Sequence, residues 1–361
     1  ILCDKGISVR RKLSIIKKDK RGGNFMKKFL SFAAMLMLLL VLAACNDKET
    51  EDSASAGTGE YPKVTFKLAH ITPTDHMWHQ ASEKFKEELE TITGGKMSVE
   101  IYPASQLGSE ADMVQQVEAG SVDMAMITAA YLTSRTPEMA AWFAPYLFDT
   151  LEEANTAAQS DLGQQVLKKV EGTGLKGLTY LFAGQRTIVT KDVKINSTDD
   201  LNGLKLRVTP SPALQSFYRN AGAAPESLSL TEVYSALQTG VIDGMDMDLD
   251  ATITNKYAEI AKYVAVTNHM VWPSTILTNE KKFNALSQDA QDAVTQAWKV
   301  ASDYAVTTRS GQEEEFRKEL AGQGMEVYDL DSSVFKKQIE AFDSEYGGQS
   351  DLIKQFIDAN R

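Results

Sequence analysis

Cysteine is almost absent from this chain: Cys3 and Cys45 are the only two in 361 residues. A disulfide framework and a Cys-rich zinc module are therefore excluded. Histidine is scarce as well, with four residues, His70, His76, His79 and His269, and no His-Glu-x-x-His motif. His76 and His79 lie three apart at a predicted helix start and share a face. Two ligands alone make a weak metal site, so a capping or pocket-wall role suits them better. Positive charge is in deficit, and a formal net charge of -11 disfavours nucleic acid as a partner. No Gly-rich phosphate loop follows a strand. Nucleophile motifs also fail. Gly348-Gln349-Ser350 lacks the closing Gly of an elbow, and Ser333-Val-Phe-Lys336 sits in a polar C-terminal stretch. An enzyme would have to assemble its site from distant residues, which makes a hydrolase the weaker class of answer. No cofactor is implied.

The one long apolar run is short. Phe29 to Leu42 follows Met26-Lys27-Lys28 and precedes Ala43-Ala44-Cys45. A basic start, an apolar stretch of this length and small residues before a cut describe a secretory signal rather than a spanning helix, which needs about 20 residues. Leu42-Ala43-Ala44-Cys45 resembles the bacterial lipoprotein box, so residues 26–44 are expected to be a signal peptide and Cys45 the lipidated first residue of the mature chain. Residues 1–25 are basic, without amphipathic order. Arg21-Gly22-Gly23 is encodable as a purine-rich ribosome-binding sequence ahead of Met26, so 1–25 is expected to be translated upstream DNA. Residues 1–44 carry ten Lys or Arg and two Asp. Their removal leaves a strongly acidic chain outside the cytoplasm, anchored to the cell membrane. Residues 45–60 are polar and small, the composition of a flexible tether.

Beyond the tether the hydrophobic period alternates between strand and helix. Val64-Thr-Phe-Lys-Leu reads as a strand. Trp78, Ala81, Phe85, Leu89 and Ile92 follow at helical spacing, ended by Gly94-Gly95. Strand and helix keep alternating to about residue 280, which predicts an α/β fold. One local pattern occurs twice. A helix, Gly120, then Val122-Asp123 and a strand is matched by a helix, Gly240, then Ile242-Asp243 and a strand. Two related lobes explain the repeat. Ser287 to about Ala321 reads as nearly continuous helix, which at 1.5 Å per residue spans roughly 50 Å and is long enough to brace two lobes.

Two arginines stand near strands. Arg186 lies in Leu181-Phe-Ala-Gly-Gln-Arg186-Thr, and Arg207 in Leu204-Lys-Leu-Arg207-Val. Alternation puts Leu204, Leu206 and Val208 on one face and Lys205 and Arg207 on the other. A solvated face with surface ion pairs is one reading. A guanidinium fork for a carboxylate is the other, because Arg supplies planar bidentate donors and stays charged.

From about Val64 to Val327 the chain resembles the solute-binding proteins of tripartite ATP-independent periplasmic (TRAP) transporters, the DctP family. The matching stretches are Leu68-Ala-His70-Ile-Thr-Pro-Thr-Asp-His76-Met-Trp78-His79, Tyr102-Pro-Ala-Ser-Gln-Leu-Gly108, Asp199-Asp-Leu-Asn-Gly-Leu-Lys-Leu-Arg207-Val, Glu232-Val-Tyr-Ser-Ala-Leu-Gln-Thr-Gly240-Val-Ile-Asp243-Gly244 and Lys262-Tyr-Val-Ala-Val-Thr-Asn268-His269. The resemblance implies a bilobed periplasmic-binding-protein-like fold with a long C-terminal bracing helix. Lobe 1 is expected at 61–186 plus 278–361 and lobe 2 at 187–277. It implies a receptor that closes around a small organic acid and delivers it to TRAP membrane subunits for ion-gradient-driven uptake. It implies that Arg207 makes the main salt bridge to the ligand and that Arg186 lines the same pocket. His70, Glu110, Leu230, Asp246, Met247 and Asp248 complete the expected ligand-binding set. A ligand sensor for a membrane kinase would use the same fold, and an exported lyase or hydrolase acting on sugar acids is the enzyme alternative.

Departures from the family pattern bear on the ligand. After Asp243-Gly244 the common Gln-Glu-Asn-Pro is replaced by Met245-Asp246-Met247-Asp248, followed by Leu249-Asp250. An aromatic often found before Thr231-Glu-Val-Tyr is Leu230 here. The Asp-x-Asp-x-Asp run lacks the rest of a calcium loop, and Asp248 or Asp250 suits a helix N-cap. The sharper expectation is that Asp246 or Asp248 accepts hydrogen bonds from ligand hydroxyls. That favours polyhydroxy monoacids such as hexuronates or aldonates over C4-dicarboxylates or 2-oxo acids.

Overall fold

The computed structural model describes residues 61–361. The expected upstream extension at 1–25, the signal peptide at 26–44, the lipidation site Cys45 and the tether at 45–60 lie outside the described residues. Among the described residues eleven strands run in chain order: β1 (Val64–Ala69), β2 (Met97–Tyr102), β3 (Met124–Thr128), β4 (Leu175–Gln185), β5 (Thr187–Thr190), β6 (Lys205–Val208), β7 (Ala224–Ser227), β8 (Gly244–Met247), β9 (Tyr263–Val266), β10 (Val271–Asn279) and β11 (Glu326–Asp329). They form two sheets, ordered β2-β1-β3-β10-β4 and β11-β9-β5-β8-β6-β7. The first is parallel through β2, β1 and β3, and β10 runs antiparallel to both β3 and β4. The second mixes parallel pairs among β6, β7 and β8 with antiparallel pairs on β5.

Local pattern accounts for most elements. In β1 Phe66 and Leu68 are buried and Lys67 is exposed, as alternation requires. The helix Met77–Thr93 buries Trp78, Ala81, Phe85 and Leu89 and ends on Gly94 in the left-handed conformation, φ 59°. The repeated module is built the same way twice. The helices Glu110–Ala119 and Leu230–Thr239 each begin with a capping box, at Ser109/Asp112 and Ser229/Glu232, and end on a left-handed Gly120 or Gly240. Asp123 Oδ2 then accepts from Lys67 N at 2.9 Å, and Asp243 Oδ2 from Lys205 N at 3.0 Å. Each aspartate brackets the strand beside it.

The expected division at 187–277 does not coincide with sheet membership. β10 belongs to the first sheet, and β11, far along the chain, belongs to the second. All nine residues of β10 are buried, so it has no alternating face to mark which sheet it joins. The chain therefore passes between sheets at Arg186, at residues 267–270 and at residues 311–325. The nearly continuous helix expected from Ser287 to about Ala321 is present in two pieces. These are the helix Gln288–Ser310, followed after Gly311 and Gln312 by the helix Glu313–Gly322. The first piece presents Ala290, Ala293, Ala297, Ala301 and Ala305 as a small-residue stripe that lets it lie close on its neighbours. Trp298 stacks on Phe85 at 3.9 Å between ring centroids, and Ser302 Oγ donates to Tyr180 O in β4 at 2.8 Å. The second piece lies beside the helix Leu249–Thr254 and β11. No helix among the described residues is long and apolar enough to cross a membrane.

Candidate ligand-binding site

Arg186 is the single residue between β4 and β5, so it stands where the chain leaves one sheet for the other. Its side chain is 1% exposed and fully engaged. Nε donates to Asp246 Oδ1, Nη2 to the Asp246 carbonyl, and Nη1 to Asp248 Oδ2 at 3.0 Å. The guanidinium lies 3.8 Å over the Trp272 ring.

Arg207 has the opposite circumstances. It sits on β6, 3% exposed, on the face that alternation shares with the exposed Lys205. The face is the polar one, but here it looks into the molecule. Nε donates to Leu228 O at 3.0 Å, and neither Nη group has a hydrogen-bond partner or carboxylate counter-ion among the described residues. Burial lowers its guanidinium to about 10, partly offset by Tyr257, Asp246 and Glu110, and the neighbouring Arg186 adds to the lowering. It remains charged at neutral pH. A buried, unpaired cation is costly unless an anion joins it.

Both arginines line one chamber of about 20 Å³, room for about one water molecule. Thr128, Thr209, His76, Leu230, Met247 and Asp248 also line it, with Ile71, Trp78 and Trp272. Residues from the ends of β3, β6 and β8 thus converge there. Leu230 is the first residue of its helix, and Met247 the last of β8.

Asp248 lines the chamber but spends its oxygens elsewhere. Oδ1 caps the helix Leu249–Thr254 by accepting from Ala251 N at 2.8 Å, and Oδ2 takes Arg186. Asp246 is not on the chamber wall. Its Oδ1 is held by Arg186, and its Oδ2 accepts from Tyr218 Oη at 2.7 Å and lies 3.0 Å from His269 Nε2. Burial pushes this carboxyl up, yet Arg186, His269 and Tyr218 outweigh it and hold it well below the usual carboxylate range. The expectation that Asp246 meets ligand hydroxyls is therefore corrected: its lone pairs are committed to protein donors, and it positions Arg186. His70 is corrected likewise. It lies behind the wall, between His79 Nδ1 at 3.1 Å and Thr72 Oγ1 at 3.0 Å, and burial with its histidine neighbours pushes it down to about 3, so it is neutral. Glu110 is partly buried at the mouth, where its carboxylate accepts from Thr128 N at 2.6 Å and Thr128 Oγ1 at 3.2 Å. Burial raises it to about 7 against the pull of those bonds and of Arg207.

A cluster of His76, Asp248 and Asp250 has metal-ligand atoms close together. The donors do not suit a metal. Asp250 Oδ2 is taken by Arg309 Nη2 and by Met77 N at 3.0 Å, Asp248 by Arg186, and His76 Nδ1 accepts from Trp78 N. Each of the two carboxylates already holds a guanidinium. A further cavity of about 140 Å³ lies beyond this wall, lined by Asp248, Asp250 and Arg309. Its arginine is paired, so it offers an anion no free charge.

Sequence reasoning missed Thr128, Thr209, Trp78 and Trp272 as lining residues. Trp272 carries a usable signal, a large aromatic beside Pro273 in an otherwise apolar run. The threonines carry none.

The profile of the bacterial extracellular solute-binding proteins, family 7 (DctP), matches residues 68–350. A solute-binding protein of Roseobacter denitrificans is 31% identical over 298 residues, covering 82% of this chain and 90% of its own. A crystal structure of a TRAP solute-binding protein from that organism with bound L-galactonate superposes with TM-score 0.76 at 29% identity, covering 83% and 99% of the two chains. The sugar-acid-binding protein of Advenella mimigardefordensis in complex with galactonate gives TM-score 0.78 at 26% identity and the same coverage. The C4-dicarboxylate-binding periplasmic protein DctP of Rhodobacter capsulatus is 29% identical over 67% of this chain and 73% of its own. The two mixed sheets agree with the superposed structures, and with the profile matching most of its length the chain belongs to the bacterial extracellular solute-binding proteins of family 7.

Proposed function

We propose that this protein is an extracytoplasmic receptor that captures a polyhydroxy monocarboxylate, such as a hexuronate or aldonate, and delivers it to TRAP membrane subunits. One observation carries the ligand class. The chamber holds two buried guanidiniums but a single free one, Arg207. One free cation matches one carboxylate. A second carboxylate would meet Asp248 and Glu110 and find no unpaired donor charge. Sugar acids bound by similar solute-binding proteins support the same class.

Binding follows from the geometry. The ligand carboxylate takes the Nη groups of Arg207 as a charge-assisted pair, while Arg186, held by Asp246 and Asp248, supplies a fixed positive wall. The chamber is smaller than a six-carbon acid, so the sheets separate to admit one and close again around it. Residues 186, 267–270 and 311–325 are the segments that accommodate this movement. Closure removes water and strengthens the ion pair, and the ligand shifts the open–closed balance by its differential affinity for the two forms. Lipidated Cys45, with the tether after it, keeps the receptor at the membrane.

A thermal-shift panel of sugar acids, C4-dicarboxylates, 2-oxo acids and amino acids tests the ligand class. A sugar acid at 100 times its Kd adds about 2.7 kcal/mol, and the shift disappears in Arg207→Met. Stabilisation by succinate and not by any sugar acid would reject the monocarboxylate reading. Mass spectrometry of the membrane-associated protein tests the anchor through a diacylglyceryl mass on Cys45.

A further inference from the structure

The inner chamber borders a larger cavity. Ile71 and Leu230 line the chamber and also line this outer cavity of about 290 Å³. One side of that cavity comes from the start of the helix Glu110–Ala119 and from Tyr131, the other from the start of the helix Leu230–Thr239. Its lining has hydroxyls and carboxylates and no Lys or Arg. The two oxygens of Glu110 each accept one bond from Thr128 and keep further acceptor capacity. Glu232 uses Oε2 to cap its own helix, and Oε1 has no partner among the described residues. The Tyr131 hydroxyl and the Ser105 hydroxyl have no side-chain partner there either.

This chemistry selects among possible occupants. A second anion would face two carboxylates with no cation to receive it. An apolar tail would strand the hydroxyls and carboxylates against a surface that cannot pair with them. A ring bearing several hydroxyls can donate to Glu110 and Glu232 and accept from Tyr131 and Ser105.

We infer that the outer cavity is a second subsite for an uncharged hydroxylated unit, so that the receptor takes an acidic disaccharide whose uronate ring sits on Arg207 and whose neutral ring lies beyond Leu230. The inference rests on Arg207 being the carboxylate site. It extends that site outward, because the inner chamber alone is shorter than such a ligand and shares Ile71 and Leu230 with the outer cavity.

Calorimetric titration of the purified protein compares three probes: D-glucuronate, the aldobiouronic acid in which glucuronate is linked to xylose, and digalacturonate with a carboxylate on each ring. The aldobiouronic acid is expected to bind at least ten-fold more tightly than glucuronate, and digalacturonate more weakly than the aldobiouronic acid. Thr231→Trp places bulk on the outer cavity alone, at an exposed helix position, and should abolish the ten-fold gain while glucuronate binding persists. Equal or weaker binding of the aldobiouronic acid, with glucuronate binding still lost in Arg207→Met, overturns the second subsite and leaves the receptor reading intact. Tighter binding of digalacturonate overturns the neutral character of the subsite. Failure of all three probes overturns the disaccharide inference, while the sugar-acid panel separately decides the receptor reading.

Discussion

Arg186 and Arg207 share one chamber, and only Arg186 has carboxylate partners. Asp246 and Asp248 neutralise the first, and nothing among the described residues neutralises the second. The two arginines therefore do different work. Removing one harms the fold; removing the other harms binding.

Arg207→Met should abolish acid binding. Hydrogen bonds to charged groups contribute about 1.5–3 kcal/mol each, so the loss of two corresponds to at least 100-fold in Kd. The ligand-free protein should become more stable, because a buried charge without a counter-ion is removed. Calorimetric titration and a melting curve check both halves. A lower ligand-free Tm would show that Arg207 is paired in the free protein.

Arg186→Met should behave the other way. It leaves Asp246 charged and buried, at a cost of about 3–5 kcal/mol. The expected fall in Tm is roughly 10 °C. The sign of the pH dependence follows from Asp246. Its folded carboxyl is held below the ordinary value of 3.8. Its stabilisation is present in full above that value and is lost as pH falls below it toward the folded value. Tyr218→Phe should shift the acid unfolding midpoint upward. An unchanged midpoint would remove Asp246 from the network.

Acid affinity should depend on pH through Glu110. Its carboxyl is raised to about 7 and lies near Arg207. A bound carboxylate favours protonated Glu110, so binding takes up a proton and affinity rises as pH falls through about 7. By reciprocity a few-fold gain in affinity between pH 8 and pH 6 matches a coupling of about 1 kcal/mol. Titrations in buffers of different ionisation enthalpy measure the proton uptake. Glu110→Gln should flatten the profile.

Asp250 ties three segments without touching the ligand chamber. It receives Met77 N from one helix start and Arg309 from the end of the helix Gln288–Ser310, and it sits in the helix Leu249–Thr254 itself. Asp250→Asn keeps the amide bond and removes the charge opposite Arg309. The radius of gyration of the free protein by X-ray scattering should increase, and acid affinity should fall about ten-fold, the equivalent of ~1.4 kcal/mol. No change in either would make the contact a passive one.

Much of the frame is written locally. Alternation over Val64–Leu68, the cap at Gly94 and the repeated Gly120 and Gly240 modules all follow from short-range rules. Arg207 stands out because its alternation places a guanidinium opposite three apolar residues. The pairing of Arg186 with Asp246 was not legible, because it joins residues sixty apart whose proximity exists only once β5 lies beside β8. The same pairing turned an expected ligand contact into a support. The break after Ser310 was hidden for another reason. Gly311 adopts an ordinary φ of -87° and no proline marks the spot, so the interruption belongs to the change of packing partners and not to a local stop signal. β10 was misassigned because a strand buried on both faces has no period to read.

The repeated module has a consequence for how ligand preference can change. Ser109-Glu110 and Ser229-Leu230 occupy equivalent places at the starts of the two copies, and both border the outer cavity. The outer cavity thus lies between two copies of one local module, where one copy contributes a carboxylate at the position where the other contributes an aliphatic wall. Arg207 fixes which end of an acid points inward, and the difference between those two positions decides what the outward end meets on each side. Exchanging their residues would change the preferred outward group while the carboxylate stays on Arg207.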